Sequence, residues 1–234
     1  MLTLLLVGLL LGMKHALDAD HVAAVAALAT RSTSFKDTVR QGVVWGVGHT
    51  LTLLAFAGVV FATDANIPKG TADALEFAVG VMLVLLGLDV LRRAYRQKTH
   101  FHVHRHAGGV VHFHAHSHAD VPAPYGTGHH RHPHAKAFPL RALAVGMMHG
   151  MAGSAALLLL TARAAESVSL GLLQIAVFGV GSMLGMGALS TVIALPLQGS
   201  ARWTAGSHLA LQWLVGVSSA VLGGVVMVQI AAGS

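Results

Sequence analysis

Cysteine is absent from the 234-residue chain, which excludes a disulfide framework, thiol redox chemistry and a thiolate metal site. Charge is scarce too: Asp, Glu, Lys and Arg together supply 10% of the residues, where a soluble domain has about a quarter. No Gly-x4-Gly-Lys-Ser/Thr run is present, so any coupling to ATP would need another chain, and no His-Glu-x-x-His pair marks a zinc hydrolase. The N-terminus lacks the basic region and cleavage site of a signal peptide. What fills the chain instead is apolar: 54% of residues are hydrophobic, which implies a polytopic membrane protein without a sizeable soluble domain. The formal charge of +6 does not indicate nucleic acid, because the basic residues cluster in the connections between apolar runs. No enzymatic activity and no resident cofactor are expected.

Six apolar segments are long enough to span about 30 Å of hydrocarbon as helices. They run approximately over Leu2–Ala29, Val39–Ala62, Ala72–Leu91, Leu140–Ala162, Leu170–Leu195 and Leu209–Ala231. Glycines at small-xxx-small spacing, among them Gly8/Gly12, Gly42/Gly46, Gly146/Gly150 and Gly181/Gly185, suit close helix packing. Twelve of the fifteen Lys and Arg residues fall in the connections after the first, third and fifth segments, against Lys69 and Arg163 on the other side. By the positive-inside rule both termini face outward and the connection after the third segment is cytoplasmic.

The chain repeats itself. Gly12-Met13-Lys14-His15 matches Gly146-Met147-Met148-His149, Trp45-Gly46-Val47-Gly48-His49 matches Phe178-Gly179-Val180-Gly181-Ser182, and Leu75 to Val81 matches Leu211 to Val217, at offsets of 134, 133 and 136 residues. Each half holds three spans, so the halves run in opposite senses. The fold expected is an all-α membrane protein of six transmembrane helices arranged as two inverted three-helix repeats, residues 1–98 and 137–234, joined by a cytoplasmic His-rich loop, residues 99–136.

Lys14, His15, Asp18, Asp20 and His21 interrupt the first apolar segment. Ionisable groups at membrane depth are costly and mark an ion or substrate path. On an ideal helix His15, Asp18 and His21 follow one another at about 60° and share a face, while Asp20 lies off it. Two imidazoles with one or two carboxylates form a nitrogen–oxygen site suited to nickel, cobalt or zinc rather than magnesium or calcium. Either aspartate can complete it, and Lys14 is placed to hold an aspartate when no cation is bound. The alternative for the same residues is a buried ion-pair network with no ligand. His49 in the second span and His149 in the fourth are further candidates, each as ligand or as a group hydrogen-bonded to one. Ser154 corresponds to Asp20 and Ser182 to His49, which makes the site asymmetric and centred on the first half. Glu76 is read as the acid of the third span, able to pair with a histidine or carry a proton. Met147, Met148 and Met151 are soft contacts or packing, and His208 is interfacial.

The loop carries His100, His102, His104, His106, His112, His114, His116, His118, His129, His130, His132 and His134. Gly108, Gly109, Pro122, Pro124 and Pro133 exclude a long helix there. Closely spaced neutral imidazoles chelate nickel, zinc, copper and cobalt, so the loop is read as metal-buffering or sensing.

The run His15-Ala16-Leu17-Asp18-Ala19-Asp20-His21, with its His-x4-Asp-His pattern, resembles the signature of the nickel/cobalt transporter family within the wider NicO group. His149-Gly150-Met151-Ala152-Gly153-Ser154-Ala155 is similar to the short six-span branch of UreH-like nickel permeases. The resemblance covers nearly the whole chain outside the His-rich loop. It implies that His15, Asp20 and His21 recognise the metal and that nickel or cobalt is taken up for enzymes such as urease or hydrogenase or for cobalamin synthesis; a cytoplasmic metallochaperone is a candidate partner. Zinc is a further candidate cargo. Larger family members have an additional span before the signature helix and a later acidic motif; neither is found here. The His-rich loop resembles efflux members of the same group, which makes export the second reading. A membrane-anchored metal sensor or metallochaperone that does not transport is the third. The oligomeric state is not legible.

Overall fold

The computed structural model describes residues 2–32, 34–63, 68–96, 99–105, 111–117, 139–151, 167–203 and 205–233. Among them are seven helices and two strands: α1 (Leu2–His15), α2 (Ala19–Ala29), α3 (Phe35–Thr63), α4 (Lys69–Arg96), β1 (Thr99–Arg105), β2 (Val111–Ser117), α5 (Leu140–Gly150), α6 (Val168–Trp203) and α7 (Ala205–Ala231). Four helices are long and apolar enough to cross a membrane: α3, α4, residues Val168–Leu197 of α6 and Gly206–Ala231 of α7. The protein is thus an all-helical membrane protein apart from one short ribbon.

The first apolar segment is not one helix. It breaks between His15 and Ala19, where Leu17 N donates to Lys14 O and Asp18 N to His15 O in a tight turn. Asp18 is extended (φ −60°, ψ 145°) at the N-cap position of α2, a place that favours aspartate. Its carboxylate makes no capping bond and turns to His15 instead, 2.8 Å from Nδ1. The shared helical face expected for His15, Asp18 and His21 therefore does not exist, and the break is what lets residues on either side of it converge. Of the segment expected over Leu140–Ala162, α5 and Met151 are described; residues 152–166 lie outside the described residues.

Helices α1 and α5 both end in the interior, each seated on a long helix of the other half: α1 on α6, and α5 on α3. The long helices α3 and α6 pack on one another, as do α4 and α7, with α2 against α4, α6 and α7. Close backbone approach requires glycine at two matching points. A Cβ on Gly12 would strike the Phe178 carbonyl, and a Cβ on Gly146 the Trp45 carbonyl. In each case the glycine stands three residues ahead of a buried histidine, His15 or His149. The principal core joins Ala16, Val25, Leu28, Trp45, Leu83 and Met186 at the centre of the bundle. Large apolar side chains such as Leu10, Leu51, Leu85, Val192 and Leu214 are turned outward, as lipid contact demands.

Part of the His-rich loop forms a β-ribbon. β1 and β2 pair antiparallel, with His100 opposite His116, His102 opposite His114 and His104 opposite His112. In this register each of the six histidines stands opposite another. His106, His118, His129, His130, His132 and His134 lie outside the described residues.

At one end of the bundle a single carboxylate gathers three arginines. Asp89 on α4 accepts from Arg31 just beyond α2, from Arg93 on α4 and from Arg141 on α5, at 2.6, 3.4 and 3.3 Å. Reading Glu76 as the only acid of this span overlooked Asp73 and Asp89, which lie in the same segment.

Candidate metal centre

Of the five histidines outside the loop, four meet at the break in the first segment. His15 ends α1, His21 sits in the first turn and a half of α2, His49 is mid-way along α3, and His149 lies at the end of α5. The ring centroids of His15 and His21 are 4.4 Å apart, those of His15 and His49 5.3 Å, and those of His21 and His149 4.8 Å. His21, His49 and His149 are essentially inaccessible, at 2, 0 and 1% exposure.

Asp20 binds this group together. Its Oδ1 lies 2.8 Å from His21 Nδ1 and also accepts the His21 backbone N–H at 2.9 Å. Its Oδ2 stands 3.5 Å from His149 Nε2, at the edge of hydrogen-bond range. Asp18 and Asp20 thus each orient one imidazole through Nδ1, the arrangement by which carboxylates fix the tautomer of metal-ligating histidines. His21 Nε2 and both nitrogens of His49 have no hydrogen-bond partner among the described residues. A buried imidazole with neither nitrogen paired costs stability, and a helix interior lined by several of them is a poor structural solution but a ready donor set for a cation. Among the described residues two groups have ligand atoms within 4.8 Å of one another: His15, His21 and His49, and Asp20, His21 and His149.

Two aromatic rings wall the site. Trp45 is fully buried, with its ring 5.1 Å from His21, 5.3 Å from His149 and stacked 5.9 Å from His49. Phe178 lies 5.3 Å from His15. Neither was singled out as a site residue from the sequence. The signal was present, since Trp45 and Phe178 are partners in the internal match that pairs His15 with His149.

A protein named urease accessory protein UreH, from Bacillus sp. (strain TB-90), is 36% identical over 226 residues, which cover 95% of this chain and 90% of its own length. The chain belongs to the UreH family. No family model matches it, and no solved structure does.

The remaining residues expected at the site of this UreH-family chain are placed as follows. Asp18 is half exposed and reaches His15 but belongs to neither metal-capable group among the described residues. Lys14 is exposed, and among the described ion pairs none joins it to Asp18; that position's partner is His15 because the helix turns before a Lys14–Asp18 pair can form. Glu76 lies partly buried on α4 and joins neither group. Met147 faces outward and Met148 packs on the core. His208 is in α7, 2.9 Å from Gln212. Ser154 lies outside the described residues, and Ser182, the counterpart of His49, is fully buried.

Proposed function

We propose that the protein is a membrane permease for divalent transition-metal ions, with nickel or cobalt uptake through the His/Asp cluster as its activity. The observation that carries this reading is the convergence of four imidazoles and the Asp20 carboxylate inside a helix bundle. These donors suit a borderline dication, and one carboxylate offsets part of its charge where the dielectric is low. The relative's printed role as a urease accessory protein agrees with a nickel cargo, because urease is a nickel enzyme.

The plan is two inverted repeats of three spans, with the site at their interface. The contacts support this pairwise. Gly12 meets Phe178 as Gly146 meets Trp45, and Gly181 meets Leu9 as Gly48 meets Leu143. Between α4 and α7, Gly80 meets Gly223 as Gly216 meets Gly87. Each contact maps onto its partner through the sequence offset, as an internal two-fold requires. Broken helices that end at a mid-membrane site, here α1 and α5, are the usual device for offering polar groups within such a plan. Trp45 also borders a narrow gap lined by Thr38, Gln41 and Ser190.

In this reading both termini face outward across a bacterial cytoplasmic membrane, and the His-rich ribbon lies in the cytoplasm, where it captures the arriving ion and passes it to a metallochaperone. Export is the second reading, favoured only by the ribbon, whose six histidines in register would gather ions on the side from which export begins. Flux of nickel, cobalt and zinc into and out of sealed proteoliposomes tests both. Saturable uptake that is abolished in His15→Ala and His21→Ala supports import; wild-type flux in both variants overturns the assigned site, and metal binding without flux in either direction leaves a sensor.

A further inference from the structure

The geometry points to two alternative coordination positions inside the cluster, sharing His21 and filled one at a time. The inference rests on the metal reading above but concerns where the ion sits rather than whether it crosses. One position is formed by His15, His21 and His49; the other by Asp20, His21 and His149. His15 and His149 end two different helices, α1 and α5, that enter the interior from different halves of the chain. His21 lies between them, 4.4 Å from the His15 ring and 4.8 Å from that of His149.

Why the two positions exclude each other follows from His21. The ring can offer Nε2, which has no hydrogen-bond partner among the described residues, or Nδ1, which lies 2.8 Å from the Asp20 carboxylate. Two dications held on one imidazole ring, a few ångströms apart in a low-dielectric interior, repel strongly. The positions also differ in chemistry. The first position has no carboxylate among its ligands and is offset only at a distance, by Asp18 and Asp20 behind His15 and His21, whereas in the second Asp20 meets the ion itself. The carboxylate position is therefore the resting place and the all-imidazole position the transit one. His21 remains a ligand throughout, so the ion exchanges His15 and His49 for Asp20 and His149 without returning to bulk water. Trp45, whose ring contacts His21, His49 and His149, is the wall along which the exchange runs.

The test uses the full-length chain in nanodiscs, with the twelve loop histidines changed to Asn so that only the core binds. The probe is cobalt(II), read by equilibrium dialysis, by its visible ligand-field spectrum and by X-ray absorption. The parent should hold one ion per chain. His149→Asn should keep one ion with an all-imidazole shell of His15, His21 and His49; His49→Asn should keep one ion in a mixed shell of two imidazoles and a carboxylate. His149→Asn, which loses the resting position, should bind about tenfold or more weakly than the parent, His49→Asn should bind about as tightly, and His21→Gln should hold none. Monodisperse elution and unchanged helical circular dichroism qualify each variant, and His15→Asn repeats the His49→Asn measurement should the latter not fold. The same shell in His49→Asn and His149→Asn, two ions in the parent, or full loss of binding in either variant overturns the inference. Absence of cobalt flux in parent proteoliposomes would overturn the permease reading alone, since the spectra are recorded without transport.

Discussion

Arg31 closes on Asp89 through two hydrogen bonds, Nη2 to Oδ1 at 2.6 Å and Nε to Oδ2 at 3.1 Å. This fork-to-fork geometry is the strongest form of such a pair. Arg93 adds a bond to the same carboxylate and two to Thr30, and Arg141 reaches in from α5. One aspartate thus ties the end of α2, α4 and the start of α5. Asp89 is only 28% exposed, and without it three guanidinium groups would face each other. Asp89→Asn should lower stability by about 1–2 kcal/mol, more than an isolated surface pair is worth because the whole cluster loses its centre. Thermal unfolding in detergent measures it. Core cobalt affinity should be unchanged, because the cluster belongs to neither metal-capable group.

The two aspartates of the broken segment should separate cleanly. Asp20 touches His21 and approaches His149, whereas Asp18 touches only His15 among the described ion pairs. Asp18→Asn should weaken nickel binding about tenfold, the range expected when a group that orients a ligand is lost. Asp20→Asn removes both an orienting group and a candidate ligand and should cost about a hundredfold or more. Competition titration against a chromogenic chelator gives both values; a larger loss in Asp18→Asn would reverse the assignment.

These contrasts show what the sequence could and could not disclose. His15 and His21 stood out because lipid-facing helices do not carry such groups without cause, and His149 followed from its match to His15. The roles of Asp18 and Asp20 could not be separated, because any face assignment assumes an unbroken helix and the chain turns at Leu17 and Asp18. Asp89 passed unnoticed for a different reason. Its main partners lie 58 and 52 residues away, and a single acid beside a run of arginines looks like ordinary loop charge until the helices are packed. The β-ribbon was hidden by composition: alternating histidine reads as low complexity, and only pairing sets histidine opposite histidine.

Matched glycines offer a test of the internal two-fold that needs no metal. Gly12→Ala and Gly146→Ala would each press a methyl group onto a facing carbonyl, Phe178 and Trp45 respectively. Neither carbonyl can retreat without moving a long helix, so each change should cost about 1–3 kcal/mol, the usual range for overpacking. Gly58 has nothing within 4 Å of an added Cβ, so Gly58→Ala should be neutral or slightly stabilising. Parallel unfolding curves in one detergent compare them. Equal losses in the first two with none in the third fit two equivalent helix seats; a loss at Gly12 alone would not.

The ribbon makes a prediction about stoichiometry that depends on register rather than composition. Residues directly opposite in an antiparallel ladder have Cβ atoms about 4.5–5.5 Å apart, close enough for two imidazoles to share one ion. His100 with His116, His102 with His114 and His104 with His112 are such pairs. A two-stranded ribbon alone is marginal in water, so cross-strand ligation should also stabilise it. Changing the three histidines of β1 to Asn should therefore abolish as much loop-bound nickel as changing all six, because each pair loses one member. Substituting Phe101, Val103 and Phe113, at the alternate register positions, by Ser should leave the count of bound ions unaltered. Isothermal titration on the full chain reads the number of sites directly, and the core site should fill in every variant. A loss from the β1 change only half that from changing all six would mean that the histidines bind independently and that their register has no part in it.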